Sequence, residues 1–212
     1  MSSFSCVVIG NESLLIQCGE ILLGRGHRIE PVVTRNPEVR AWARDRKLGV
    51  EAPGADLADR LRGRSFDWLF SIANLSIIPE AVLAQAGKGA INFHDGPLPR
   101  YAGLNAPVWA IINREPGHGV TWHMIEGGVD EGDILEQRLF ELAPEETALT
   151  LNTRCYAAAI EGFGALLTGI ELGAPERKAQ DLSQRTYFPR DLRPLADARL
   201  DFRRDAEDLA FA

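Results

Sequence analysis

The apolar positions of this chain fall into short β-branched runs separated by amphipathic stretches, and the order of the two predicts the fold class. Phe4 to Ile9 (FSCVVI) is the first run. Gly10-Asn11-Glu12-Ser13 then supplies turn and capping residues before a helical pattern from Leu14 to Leu23. Gly24-Arg25-Gly26-His27 ends that helix, with His27 read as a surface turn residue, and a second run spans Ile29 to Thr34. Strand, helix, strand is the signature of a right-handed parallel unit.

From Pro37 to Gly63 the pattern is helical and Arg-rich, broken at Ala52-Pro53-Gly54, which fits two outer helices joined by an extended piece. Asp67 to Ile72 is the third buried run. It leads into the loop Ala73 to Pro79, a helix from Glu80 to Ala86, and a fourth strand, Ala90 to Phe93. Asn105 is placed to cap a helix with Pro107 in its first turn, running through Trp109 and Ile112. Gly119 to Ile125 alternates, with Val120, Trp122 and Met124 on one face and Thr121, His123 and Ile125 on the other. Asp133 to Phe140 is a further strand. Thr147 to Leu167 is a long amphipathic helix whose apolar stripe holds Leu151, Cys155, Ala158 and Leu166. The expected architecture is α/β, a mostly parallel central sheet with helices on both faces.

Beyond Gly173 the chain turns rich in Arg, Asp and Pro, with a helix expected near Asp205. The predicted division is one main domain over 1–175 and, over 176–212, a linker with the beginning of a C-terminal domain that stops short. Apolar residues make up 45% of the 212 and charged residues 25%, which argues against disorder or a fibrous fold. A formal net charge of -7, with the basic residues scattered, makes nucleic acid an unexpected main partner. No apolar run reaches the ~18 residues needed to span a bilayer, and MSSFSCVVIG lacks signal-peptide features, so a soluble, cytoplasmic protein is expected. Cys6, Cys18 and Cys155 each sit among apolar neighbours and are read as small buried hydrophobes.

Candidate chemistry concentrates between Ala90 and Gln137. Asn92 and His94 end the fourth strand two residues apart, so their side chains point to one side. Asp95-Gly96-Pro97-Leu98-Pro99 then makes a rigid turn. Asp130 lies in the glycine-rich acidic loop Glu126 to Asp133. Loops at the carboxyl ends of adjacent parallel strands line the usual ligand crevice, which places Asn74 to Ile78 beside Asn92 and His94. An amide, an imidazole and a carboxylate together suit transfer of an acyl-like group. Nothing resembles an activated nucleophile, so direct transfer between two bound substrates fits better than a covalent intermediate. Each residue also has a structural reading: His94 and His123 as satisfied strand histidines, Asp130 as a turn former, Asn92 bonded to neighbouring backbone. A metal held by His94, His118 and His123 lacks tight ligand spacing. The sequence GNESLL after the first strand is not the G-x-G-x-x-G loop of a nicotinamide site.

Four ordered motifs resemble the formyltransferase family that uses 10-formyltetrahydrofolate. They are Asn92-Phe93-His94, then Leu98-Pro99-Arg100-Tyr101-Ala102-Gly103, then Gly119-Val120-Thr121-Trp122-His123, and Asp130-Glu131-Gly132-Asp133-Ile134. The resemblance covers roughly Phe4 to Leu172 and implies a Rossmann-like formyltransferase fold. It implies that Asn92, His94 and Asp130 are the catalytic trio, with Asn92 and His94 stabilising a tetrahedral intermediate and Asp130 orienting His94. The folate donor would lie against Asn74, Leu75, Ile77 and Ile78 on one loop and Glu126, Gly127, Gly128, Val129 and Asp133 on the other. The wording FHDGPLPRYAGLNAPVWAI is similar to formyltransferase domains of nonribosomal peptide synthetases, which implies an aminoacyl group on a carrier protein as acceptor. Tyr187-Phe188 and Leu200-Asp201-Phe202 look like the opening of the small C-terminal domain of many members. Sugar-nucleotide N-formyltransferases and methionyl-tRNA formyltransferases are the alternatives within the family. A non-catalytic folate-binding or docking module is the alternative outside it.

Overall fold

A computed structural model describes residues 3–173, 175–194, 203 and 205. In chain order the elements are β1 (Ser5–Ile9), α1 (Ser13–Gly24), β2 (Arg28–Val33), α2 (Pro37–Asp45), β3 (Val50–Glu51), α3 (Leu57–Leu61), β4 (Phe66–Ser71) and α4 (Glu80–Leu83). They continue with β5 (Ala86–His94), β6 (Ala102–Gly103), α5 (Ala106–Ile112), β7 (Gly117–Met124), β8 (Ile134–Glu141), α6 (Ala148–Glu171) and β9 (Tyr187–Phe188). Seven strands form one sheet in the order β3-β2-β1-β4-β5-β7-β8, parallel as far as β5 and antiparallel for β7 and β8.

Strand alternation divides the side chains between two faces. Cys6, Val8, Phe70, Ile91, Phe93 and Trp122 point into the larger core, where they meet Leu14 and Cys18 of α1 and Cys155, Phe163 and Leu167 of α6. Trp122 is fully buried there, and its indole N–H donates to the carbonyl of Ala159. Val7, Ile9, Leu69 and Ala90 point the other way, against Leu57, Leu61 and Val82 from α3 and α4. Those two helices are short, five and four residues, and the sheet face beyond them carries polar side chains. The three cysteines are free and buried, and burial pushes their thiols up.

Several local expectations are corrected. At the start of α1 the N-cap position belongs to Glu12 and makes no side-chain cap bond. Asn11 instead accepts from the backbone N–H of Arg35, tying the loop after β1 to the loop after β2. Asn105 stands at the N-cap of α5 in a left-handed conformation, φ 59°, and also makes no cap bond. The fourth sequence-predicted strand, now β5, begins at Ala86, because Ala86-Gly87-Lys88-Gly89 extends beside β4 rather than ending a helix. On α6 the buried stripe runs through Ala159, four residues on from Cys155, and Ala158 is only half-buried.

His27 is not a surface residue. Its ring is buried and stacks on Phe4 with centroids 3.8 Å apart. The backbone N–H of Phe4 donates to Nδ1, so Nε2 carries the proton and donates to Glu171 Oε1 at 2.9 Å. Arg25 pairs with the same carboxylate at 3.3 Å. This cluster joins the start of β2 to the end of α6, 144 residues away in sequence. Removing one partner of a buried hydrogen-bonded charge costs about 3 kcal/mol. A His27→Ala variant is therefore expected to melt several degrees lower than the parent in a thermal scan, with its catalytic rate below the transition unchanged.

After α6 the chain folds back along the sheet edge. Lys178 exchanges backbone hydrogen bonds with Ile134, and β9 pairs in parallel with β6, so Tyr187 and Phe188 lie beside Ala102 and Gly103. Phe188 stacks on both Tyr101 and Trp109, with centroids 5.1 and 5.0 Å away. Leu200, Asp201 and Phe202, and the helix expected near Asp205, lie outside the described residues.

Candidate active site

Register across the sheet brings the polar residues together. Ile9 is level with Ser71, Ser71 with Asn92, and Asn92 with His123 on β7. Asn92 and His94 therefore share the sheet face on which Ala90 packs against α4, while Phe93 between them packs against Trp122 at 5.2 Å. The turn after β5 is fixed from β7 and β8. The Thr121 hydroxyl donates to the carbonyl of Gly96 and accepts from the N–H of Leu98, and the Gln137 amide donates to the carbonyl of Leu98.

His94 is 5% exposed, and its Nε2 lies 2.7 Å from the carbonyl of Tyr101. A carbonyl only accepts, so Nε2 carries a proton and Nδ1 is left for exchange with a reactant. Nδ1 is 3.7 Å from Asp130 Oδ2 and 3.9 Å from Asp95 Oδ1. Gly96 makes room for this arrangement, since a Cβ there would come within 2.7 Å of His94 Nε2 and 2.9 Å of the Tyr101 carbonyl. A Gly96→Ala variant must push the ring or the backbone aside. Misplacing a catalytic group by about 1 Å costs up to roughly a hundred-fold. That loss is the expected result in a steady-state assay.

Asp130 arrives from the loop after β7. Its side chain is 10% exposed, and Oδ2 accepts from the N–H of Gly103 at 2.9 Å. Gly103 holds φ of 100°, and a Cβ there would come within 2.2 Å of the Phe188 carbonyl oxygen, which leaves no space for a side chain. Asp130 Oδ1 is 3.4 Å from His123 Nε2. Burial alone would push the Asp130 carboxyl up. The His123 contact, the charge at His94 and the Gly103 N–H outweigh it and hold the group down at about 2.

His123 was read from sequence as structural, yet it belongs to this cluster. Its Nδ1 donates to the carbonyl of Met124 at 2.8 Å, and its Nε2 faces Asn92 Nδ2 at 3.2 Å as well as Asp130. Neutral, it accepts from the Asn92 amide; doubly protonated, it donates to Asp130. Only the strand register, which no local pattern reveals, aligns it with Asn92.

The loops expected to hold a ligand differ in how they are tied. Asn74 reaches back to the hydroxyl of Ser71, next to Asn92, while Leu75 and Ile77 stand 69% and 82% exposed. Asn74, Ile77 and Ile78 also line a cavity of about 240 Å³ with Ile9, Arg35 and Leu57, and its lining does not include Asn92, His94 or Asp130. On the other loop Val129 is 43% exposed, and Gly127 takes a left-handed turn. Glu126 and Asp133 both give their carboxylates to Arg177, and Gly128 donates its N–H to Glu131. His118 is buried behind the turn after His94, its Nε2 donating to the carbonyl of Asp95, and burial lowers its pKa. Among the described residues no group of three or more His, Cys, Asp or Glu is arranged to hold a metal ion, and no helix is long and apolar enough to cross a membrane.

The site thus lies in an α/β protein whose sheet brings an amide, an imidazole and a carboxylate together at a strand end. The chain belongs to the formyl transferase family, whose sequence pattern matches residues 42–166. A methionyl-tRNA formyltransferase of Trichlorobacter lovleyi is 31% identical over 170 residues, covering 78% of this chain and 52% of that protein. The chain thus spans about half the length of that relative. A methionyl-tRNA formyltransferase of Solibacter usitatus is 31% identical over 216 residues, covering 94% of this chain and 69% of the relative. The fold is that of WlaRD, described as a sugar 3N-formyl transferase in the presence of dTDP and 5-N-formyl-THF. It matches with a TM-score of 0.81 at 19% identity, over 100% of this chain and 78% of that one.

Proposed function

We propose that this chain transfers the formyl group of 10-formyltetrahydrofolate directly to a primary amine, with Asn92, His94 and Asp130 as the catalytic residues. The carrying observation is the convergence, at the end of β5, of an Asn amide, a His with one nitrogen left for exchange, and a carboxylate held ionised. The donor's surroundings suit a flat heteroaromatic ring: branched apolar side chains of Leu75, Ile77 and Val129 stand out in water on loops flanking a buried polar group. The loops 74–78 and 126–133 would hold it, largely through backbone groups, because Glu126 and Asp133 are committed to Arg177. When bound, the donor supplies an electrophilic formyl carbon.

Attack by an amine builds negative charge on the formyl oxygen and positive charge on the attacking nitrogen. The Asn92 amide donates to the oxygen, as does His94 when Nδ1 is protonated, so charge meets preplaced donors. Asp130 stays ionised throughout, balances the charge at His94, and fixes the ring through the Gly103 turn. The proton leaving the amine passes to the departing nitrogen through His94 Nδ1, while Nε2 remains bonded to Tyr101.

For the acceptor, the resemblance of Phe93 to Ile111 to formyltransferase domains of nonribosomal peptide synthetases favours an aminoacyl group on a carrier protein. The relatives named above direct attention to methionyl-tRNA and amino sugars. A formal charge of -7 disfavours the tRNA among these. The deciding experiment follows tetrahydrofolate release with aminoacyl carrier proteins, amino-sugar nucleotides and methionyl-tRNA offered separately. Release that depends on the carrier protein supports this reading. Release only with an amino sugar or tRNA replaces the acceptor. Folate binding without release under any acceptor would leave a docking module.

A further inference from the structure

We propose that Gln180 is a positioning residue for Asp130: reaching back from the segment after α6, its side-chain amide locks the loop that presents the carboxylate to His94. The inference rests on the formyl-transfer reading for its catalytic consequence, and on geometry alone for the lock itself.

Asp130 has φ of 57°, a left-handed conformation that costs a non-glycine residue about 1 kcal/mol and persists only where its surroundings enforce it. Gln180 supplies that enforcement. Its Nε2 donates to the carbonyl of Asp130 at 2.9 Å and to the carbonyl of Gly132 at 2.6 Å, bridging the backbone on either side of Glu131. Both partners can only accept, so the nitrogen must be the end facing them. Gln180 Oε1 is buried without a partner among the described residues, so the bonds this amide makes there come from its NH2 group.

Gln180 is itself fixed in place. Two residues before it, Lys178 exchanges N–H and carbonyl bonds of 2.9 and 2.8 Å with Ile134, which sets the register of the returning segment against β8. On either side of Gln180 the same segment grips the loop again. Arg177 Nε donates to Asp133 at 2.9 Å, and Arg185 Nη2 donates to the carbonyl of Val129 at 2.9 Å.

Further along, the segment braces the other anchor of the site. Thr186 Oγ1 accepts from the N–H of Tyr101 and its carbonyl accepts from Ala102, flanking the Tyr101 carbonyl that holds His94. One stretch outside residues 42–166, the part matched by the family pattern, therefore holds both the Asp130 loop and the Tyr101 turn. Without Gln180 the Asp130 loop loses its central clamp.

The test compares Gln180→Ala, Gln180→Glu and Gln184→Ala in the full chain. Gln180→Glu keeps the shape and removes both donors. Gln184 lies exposed on the same segment, its side-chain amide donating to the neighbouring Ser183 hydroxyl, and serves as the control. Two readings are taken: amide hydrogen exchange across 126–133, and kcat and KM for formyl transfer. Both Gln180 variants are expected to exchange at least about ten-fold faster in that loop. Their kcat is expected to fall about ten- to a hundred-fold, by more than KM rises. Gln184→Ala should match the parent in both. Parent-like exchange and kcat in Gln180→Glu would overturn the lock and leave Gln180 a packing residue. Absence of transfer by the parent itself would instead fail the functional reading, and the exchange comparison would still decide whether Gln180 holds the loop.

Discussion

Replacing His94 with alanine should lower kcat for formyl transfer by about three to four orders of magnitude while the protein stays folded. General acid–base catalysis contributes about 10² to 10⁴, and a preplaced donor at a developing oxyanion about 10² to 10³. His94 is positioned for both, so its loss approaches the upper end. The structural cost is smaller. Removing the ring leaves the Tyr101 carbonyl without its Nε2 partner, about 1–3 kcal/mol against a stability of about 5–15 kcal/mol. Circular dichroism and a thermal scan alongside the kinetics separate the two effects. A variant that is folded and retains a tenth of the parental rate would remove His94 from the chemistry.

Asp130→Asn is expected to be nearly as damaging, at about 10² to 10⁴ in kcat. The substitution keeps size and removes the buried charge 3.7 Å from His94 Nδ1, leaving only the more exposed Asp95 carboxylate, 3.9 Å away, to balance a proton there. It also has a signature in stability. The folded pKa of Asp130, about 2, lies below its ordinary 3.8, so the carboxylate stabilises the fold fully above about pH 4. That contribution, about 2 kcal/mol, fades as pH falls toward 2. Denaturation of parent and variant should therefore differ most near neutrality, and the difference should shrink below about pH 4 and vanish only as pH falls through about 2. A gap that widens in acid would mean that the contacts at Asp130 do not favour its ionised form.

The strands of the parallel half were legible because continuous apolar runs such as Cys6 to Ile9 and Trp68 to Phe70 are buried on both faces and carry their own signal. Asn92 and His94 were legible as a pair for the equally local reason that residues two apart on a strand share a side. What escaped depends on register and on distant chain. His123 meets Asn92 only because β7 runs antiparallel to β5 with those two residues opposite. His27 looked like turn filler between glycines and is buried because Glu171 comes to it from the far end of α6. The glycines and lysine of Ala86 to Gly89 hid the first half of β5, since their own propensities favour a turn over the ladder that β4 imposes. Gln180 sat in a polar, apparently linking segment, and its meaning appears only where that segment returns to the Asp130 loop.

The measurement that bears most directly on the account follows isotopic label from the formyl carbon of 10-formyltetrahydrofolate, with the parent and His94→Ala assayed side by side on each acceptor. The predicted result is label recovered as an amide on one acceptor class with the parent, and none above background with His94→Ala. Label recovered as free formate, or equal labelling of the acceptor by both proteins, would contradict direct transfer by this trio.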